Sequence, residues 1–349
     1  MKKLITCFLL FTGLAYARPP IDETLSIGQQ SQISTDSKGV VRIVFGRKDS
    51  IFCAASVDNG KTFVKPVLVA VVPGMHLGMA RGPQLASSAN YSVIAAMDKK
   101  GDIHFFTLNH AAVRQGWKRK GYVNDIRLSA PEGLMNIAAD KQDNFYAVWL
   151  DMRIGKTNNI YFSSLNAKDG KWHKNTLAYQ SPDGHVCECC RPSIAVQGSS
   201  VAIMFRNWLM GSRDLYLVRS ANQGKTFDAA QKLGNGTWKL NACPIDGGDL
   251  AFNANNSIST TWRRKGNIYY TKPGENEIDL GTGRDCSISI IGNQPLVAMS
   301  DNGTLKLKYI GTNKEINIGK GNYLKVTGLP DHQLLCVWEE ENAIKTRRI

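Results

Sequence analysis

The stretch Ser56-Val57-Asp58-Asn59-Gly60-Lys61-Thr62-Phe63 decides the fold, because it returns as Ser220-Ala221-Asn222-Gln223-Gly224-Lys225-Thr226-Phe227. In both copies an Asp or Asn can accept hydrogen bonds from its own turn, and Gly supplies a positive φ. The closing aromatic ring is left to pack between neighbouring sheets. Such a turn staples two strands together, so it speaks for architecture and not for catalysis. A weaker copy stands at Asp169-Gly170-Lys171-Trp172.

Outward from these turns, helical periodicity is nearly absent. What recurs is a short apolar strand, a polar turn, a second strand ending in an aromatic or charged residue, and a third strand. The second strands are expected at residues 40–46, 91–97, 144–150, 200–205, 257–262, 295–299 and 333–338. Repetition of all-β units every 40 to 55 residues or so predicts a β-propeller, each unit being one four-stranded blade. Seven units are counted. The last lacks an outermost strand, and residues 21–28 are placed to supply it, closing the ring and removing the edges of an open sheet.

Lys2 and Lys3, the apolar run 4–14 and the ending Ala15-Tyr16-Ala17 have the order of a secretory signal peptide. A membrane span needs about 20 apolar residues, and this run is shorter. Residues 1–17 are therefore read as a leader and residues 18–349 as one exported propeller domain, periplasmic or secreted. Cys7 goes with the leader, which leaves seven cysteines. The net charge of +14, or +12 without Lys2 and Lys3, favours anionic partners such as acidic glycans. No block of five or six basic residues occurs, so the charge reads as solvated surface and nucleic acid is not an expected partner.

Propeller topology sorts the loops. Residues just before each inner strand and just after each second strand gather round one mouth of the channel, while the stapled turns lie on the opposite face. That mouth is expected to receive Arg81, His185 to Arg191, Asp246, Arg284 to Cys286, and Tyr323 from the strand starts. It also receives Asp151, Arg153, Arg206 and Trp208 from second-strand ends. Asp151 and Asp246 are the acid/base candidates by location. Five cysteines fall there too: Cys187, Cys189, Cys190, Cys243 and Cys286. Cys53 and Cys336 fall within strands and read as apolar filler. Two readings of the five stand side by side. Disulfides suit an exported chain, with the triple-cysteine loop bridged to Cys243 and an odd thiol left over. Thiolates of Cys187, Cys189, Cys190 and Cys243, joined by His185, suit copper as Cu(I) or zinc.

The stapled turns resemble the Asp-box (BNR) repeat, S-x-D-x-G-x-T-W/F, of the sialidase-like propellers. In that family three arginines hold the substrate carboxylate, a tyrosine assisted by a glutamate is the nucleophile, and an aspartate serves as acid/base. The resemblance implies Tyr323 as nucleophile and Arg206 and Arg284 as the second and third arginines. Gln32 stands where the family has its first arginine, and Arg191 where it has the activating glutamate. A cation there lowers a tyrosine's pKa but cannot take its proton. Over the middle of the chain, Cys187-Glu188-Cys189-Cys190-Arg191-Pro192 and Cys243-Pro244-Ile245-Asp246-Gly247-Gly248 are similar to an exported bacterial branch of BNR proteins with C-x-C-C-R-P and C-P-x-D-G motifs. Sialidase relatives have six blades, which makes six the alternative to seven.

The leading expectation is thus a glycan-directed protein, a glycoside hydrolase with non-standard residues. It would hold an acidic or other sugar with Arg81, Arg153, Arg191, Arg206, Arg284 and Trp208 around Tyr323, and would need no cofactor. The rivals are a non-enzymatic periplasmic protein binding copper or zinc, or doing thiol chemistry, at a cysteine-rich mouth, and a plain interaction platform.

Overall fold

The computed structural model describes residues 22–349; the expected leader, residues 1–17 with Cys7, lies outside the described residues. Apart from one 3-10 helix, His110–Gln115, the regular elements are strands grouped into seven antiparallel sheets. We number these blades I to VII by their inner strands: Gln29–Thr35, Gln84–Ser87, Met135–Ala139, Ser193–Gln197, Gly248–Phe252, Arg284–Ile291 and Asn322–Gly328. Each inner strand packs on the next, and that of blade VII packs on that of blade I, so the ring is closed with seven blades and the alternative of six is set aside.

The observed second strands are Val41–Arg47, Tyr91–Met97, Asn144–Asp151, Ser200–Arg206, Ile258–Arg264, Gln294–Asp301 and Leu334–Glu340. They are the most buried segments of the chain because both faces of a blade are covered by neighbouring blades, which is why they read as near-continuous apolar runs. The core accordingly divides into layers, one at each blade junction, such as Val93, Phe105, Ile137 and Phe145 between blades II and III. The closing layer is formed by Ile43 and Phe45 of blade I with Val337 and Ile344 of blade VII.

Closure follows the expected route. Glu23–Ile27 pairs antiparallel with Ala343–Arg348 and supplies the outermost strand of blade VII. Both stapled turns form as read. Asp58 accepts from Thr62 N at 3.0 Å and Thr62 Oγ1 at 2.6 Å, and Asn222 accepts from Thr226 N at 3.0 Å. Bonds from Thr62 and Ser56 hold the Asp58 carboxyl below the usual range. Phe63 packs between blades I and VII, and Phe227 meets Phe162 of blade III edge-on, with centroids 5.2 Å apart. In blade III the fourth strand is split: Lys171–Trp172, beside the weak third copy of the turn, and Thr176–Tyr179 both pair with Asn159–Asn166.

Candidate functional site at the channel mouth

The central channel holds a cavity of about 180 Å³ that receives side chains from all seven inner strands, among them Arg191, Asp249 and Lys325. Burial lowers the basicity of Arg191, and burial together with the Arg191 charge lowers that of Lys325. Asp249 is fixed by backbone N–H groups of Leu250 and Ile288 at 3.0 and 3.1 Å. Gly247 lets the chain pass Arg191 closely, since a Cβ there would lie 2.3 Å from the Arg191 carbonyl oxygen.

At one mouth of this channel, three consecutive blades repeat a distortion. Asp285 of blade VI, Tyr323 of blade VII and Gln30 of blade I adopt φ of 53°, 55° and 55°, each at an interruption of register where the inner strand begins. A left-handed non-glycine residue costs about 1–2 kcal/mol, and strain of this kind persists only where surrounding structure imposes it. These bulges gather the three side chains, so that the Tyr323 hydroxyl feels Gln30 and the charges of Asp285, Glu339 and Arg284. Glu339 follows the buried Trp338 at the end of its second strand and accepts from the Gln30 backbone N–H.

The electrostatics of this cluster are dominated by the burial of its carboxyl groups. Burial raises the Asp246 carboxyl to about 7, and Asp285 adds to it, against the pull of Arg206, Arg263 and Arg284. Burial likewise raises Glu339 to about 7, helped by Asp285, and raises Asp285 itself. Tyr323 is pushed up, chiefly by burial. Arg263 Nε lies 3.8 Å from Asp246, and Arg284 Nε 3.1 Å from Asp285 with its side chain largely exposed. A tyrosine, three carboxyl groups raised above their usual range, two of them to about 7, and arginines therefore meet at one opening.

The remaining sequence candidates separate. Arg206 is fully buried and donates to the carbonyls of Asp246, Arg213 and Arg263, tying blade IV to blade V. Asp151 has no exposed surface and accepts from Ser129, Trp149 and Arg153, so its oxygens are already engaged. Arg153 is spent on Asp151, Asp125 and Asn175 and stacks on Tyr161. Arg81 donates to the Glu132 carbonyl at 2.6 Å. Asp151, Arg153 and Arg206 thus have their polar atoms engaged within the protein, whereas Arg81 keeps Nη2 no nearer than 3.8 Å to its acidic neighbour Glu132.

The cysteines also sort differently from the expectation. All seven described cysteines are unbridged, so the Cys243 link does not form here. Cys187, Cys189 and Cys190 collect in one buried knot, with Cys187 Sγ 3.4 Å from Cys190 Sγ and 3.7 Å from Cys189 Sγ. Cys243 is exposed, and the His185 ring stacks on Trp208, so neither joins the knot. Cys286 lies in the core between blades V and VI, where burial raises its thiol. Arg213 Nη1 sits 3.0 Å from Cys187 Sγ, and its guanidinium covers Trp208. Sulfur hydrogen bonding with Cys189 and Cys190, aided by Arg206 and Arg213, holds the Cys187 thiol well below its usual range, whereas burial pushes Cys190 up to about 12.

The sequence places Asp285 at the mouth without giving it a role; Glu339, Gln30 and Arg213 are not singled out from sequence. For Glu339 a signal existed: Trp262-Arg263 and Trp338-Glu339 place a charged residue directly after a buried tryptophan at corresponding strand ends.

No protein-family model matches the sequence, and no curated protein is significantly similar to it. Among solved structures, the BP39L lectin from Burkholderia pseudomallei is similar over 93% of this chain and 96% of its own, with TM-score 0.70 and 10% identity. An α-L-arabinanase from Penicillium chrysogenum, complexed with arabinobiose, covers 81% of this chain and 94% of its own, with TM-score 0.53 and 13% identity. The intramolecular trans-sialidase of Ruminococcus gnavus aligns over 91% of this chain and 93% of its own at TM-score 0.48 and 10% identity, a likeness too loose to argue from. At these identities the likeness establishes the propeller fold alone.

Proposed function

We propose that this protein is an exported glycan-directed propeller whose channel mouth binds and hydrolyses an acidic sugar. The observation that carries the reading is the grouping of Tyr323 with Glu339 and Asp285 beside exposed Arg284, with Asp246 joined to the group through Asp285. Two of those carboxyl groups titrate at about 7. A general acid/base works best when its pKa is near the working pH. That a lectin and an arabinanase share the fold is in keeping with a sugar ligand.

In this reading Tyr323 Oη attacks the anomeric carbon and its proton passes to Glu339. The glycosidic C–O bond breaks as Asp246 gives its proton to the leaving oxygen. Asp246, now a carboxylate, takes a proton from water, the water oxygen displaces Tyr323 from the anomeric carbon, and Glu339 returns the phenol proton. Glu339 thus does what Arg191 cannot at the family's glutamate position. Arg284 and Arg263 hold the sugar's anionic group.

The test is turnover of a fluorogenic sialoside and a panel of nitrophenyl glycosides between pH 4 and 9. Turnover is expected, abolished by Tyr323→Phe and lowered about 100-fold or more by Asp246→Asn. An inactive panel, with no retention on a glycan array, overturns the reading.

A further inference from the structure

We infer that Cys187, Cys189 and Cys190 are a binding site for a single Cu(I) ion, held by three thiolates and independent of the glycan reading. The sulfur positions support this first. Cys187 Sγ lies 3.4 and 3.7 Å from the other two, and all three lie within 4.8 Å of one another. Metal–sulfur bonds of about 2.3 Å place two sulfurs of one ion about 3.8–4.0 Å apart, so the knot accepts an ion with changes in sulfur separation of less than about 1 Å. A disulfide needs its sulfurs at about 2.05 Å. It would close one pair by more than an ångström and strand the third thiol in the same pocket.

The donor set then selects the ion. Among the described residues no histidine nitrogen or carboxylate oxygen joins the group. Three soft donors favour Cu(I), which is stable with three sulfurs, whereas Zn²⁺ takes four ligands in a closed site. The loop carrying the donors is held from both sides: Val186 N donates to the Asn158 carbonyl at 2.9 Å, and Cys187 N to the Arg206 carbonyl at 3.0 Å. The thiols are buried, which keeps water and oxidants from the ion.

Charge completes the case. Three thiolates and Cu(I) carry a net charge of −2, and burying it requires cations nearby. Arg213 Nη1 is 3.0 Å from Cys187 Sγ. Arg206 is fully buried, hydrogen-bonds only backbone carbonyls, and forms no ion pair among the described residues. The guanidinium of Arg213, which also pairs with Glu188 at 3.3 Å, thus sets a cation directly against the sulfurs.

The experiment is anaerobic titration of the reduced, full-length exported protein with Cu(I) against a chromophoric Cu(I) chelator, followed by X-ray absorption of the loaded protein. One equivalent bound, with an ultraviolet thiolate-to-copper charge-transfer band and a shell of three sulfurs, is the expected result. Cys187→Ser, Cys189→Ser and Cys190→Ser each weaken binding more than about 100-fold, beyond the 10–100-fold typical of an outer-shell change such as Arg213→Met. Cys243→Ser binds as wild type. Circular dichroism melts establish that the variants fold. Should a serine variant fail to fold, the sulfur count on wild type decides alone. No copper held against the chelator, a shell containing nitrogen or oxygen, equal loss in Cys243→Ser, or Zn²⁺ displacing the copper would each overturn the site.

Discussion

Replacing Asp246 with Asn probes the mouth electrostatics without touching its frame, because Arg206 binds the Asp246 backbone carbonyl and not its side chain. The folded protein raises this carboxyl from 3.8 to about 7, with burial as the leading cause. Between those two values the unfolded chain has lost the proton that the folded chain keeps, so stability falls as pH rises through this window and levels off above pH 7 or so. A tenfold change in acidity is worth about 1.4 kcal/mol, which puts the loss at about 4 kcal/mol. Asn has no proton to lose. Urea unfolding of both proteins from pH 4 to pH 8 should therefore show curves that coincide near pH 4 and separate with rising pH, Asp246→Asn becoming the more stable by up to about 4 kcal/mol. Glu339 titrates in the same direction but is present in both proteins, so it cancels in the difference. Curves parallel across the range, or a variant less stable at pH 8, would mean that Asp246 is ionised and paired in the fold and that the proton-donor role is wrong.

Four further outcomes follow from the structure. Gly224→Ala should cost about 2–4 kcal/mol in urea unfolding, since φ is 81° and the new Cβ would lie 2.2 Å from the Phe162 ring; Gly60→Ala, meeting Leu335 at 3.0 Å, should cost less. Arg206→Lys should lose about 3 kcal/mol, because an ammonium cannot span carbonyls of three residues, and thermal melts will show it. A chain beginning at Gln29 should melt earlier and aggregate, as Ala343–Arg348 becomes an exposed edge, an effect read by light scattering. Tyr323→Phe should abolish glycoside turnover while leaving copper binding and the melting temperature unchanged, separating the two sites.

Much of the architecture is legible because blades repeat a physical requirement. A strand sandwiched between two sheets must be apolar on both faces, so Asn144–Asp151 and Leu334–Glu340 announce themselves. The turn residues Asp58, Gly60 and Thr62 are fixed by backbone bonds local in sequence, which is why one octapeptide suffices to find them. The site is less legible for the opposite reason. Nothing in the letters Gln30, Asp285 or Tyr323 marks a left-handed backbone, which strand pairing in three separate blades imposes. Sulfur grouping is likewise a three-dimensional matter. Cys243 stands near the triple-cysteine loop in the blade diagram yet is exposed, and His185 finds an aromatic partner before it can serve as a ligand. Asp151 shows that location is not availability: it lies at a strand end as expected, with its oxygens already taken.

The shared blade also determines how the molecule answers to force. Glu23 pairs with Thr346, and Arg347 reaches Asp22 across 325 positions of sequence. Because these two strands are antiparallel, the start of one lies beside the finish of the other. Tension applied to them therefore peels the pair from its open end, rupturing one ladder bond at a time, where a parallel pair would load all bonds together in shear. Rejoining is harder than peeling: bringing segments so far apart in sequence together costs about 5 kcal/mol of chain entropy, growing with the logarithm of loop length. The ring is mechanically soft at one seam and stiff everywhere else, and under load it will open there first.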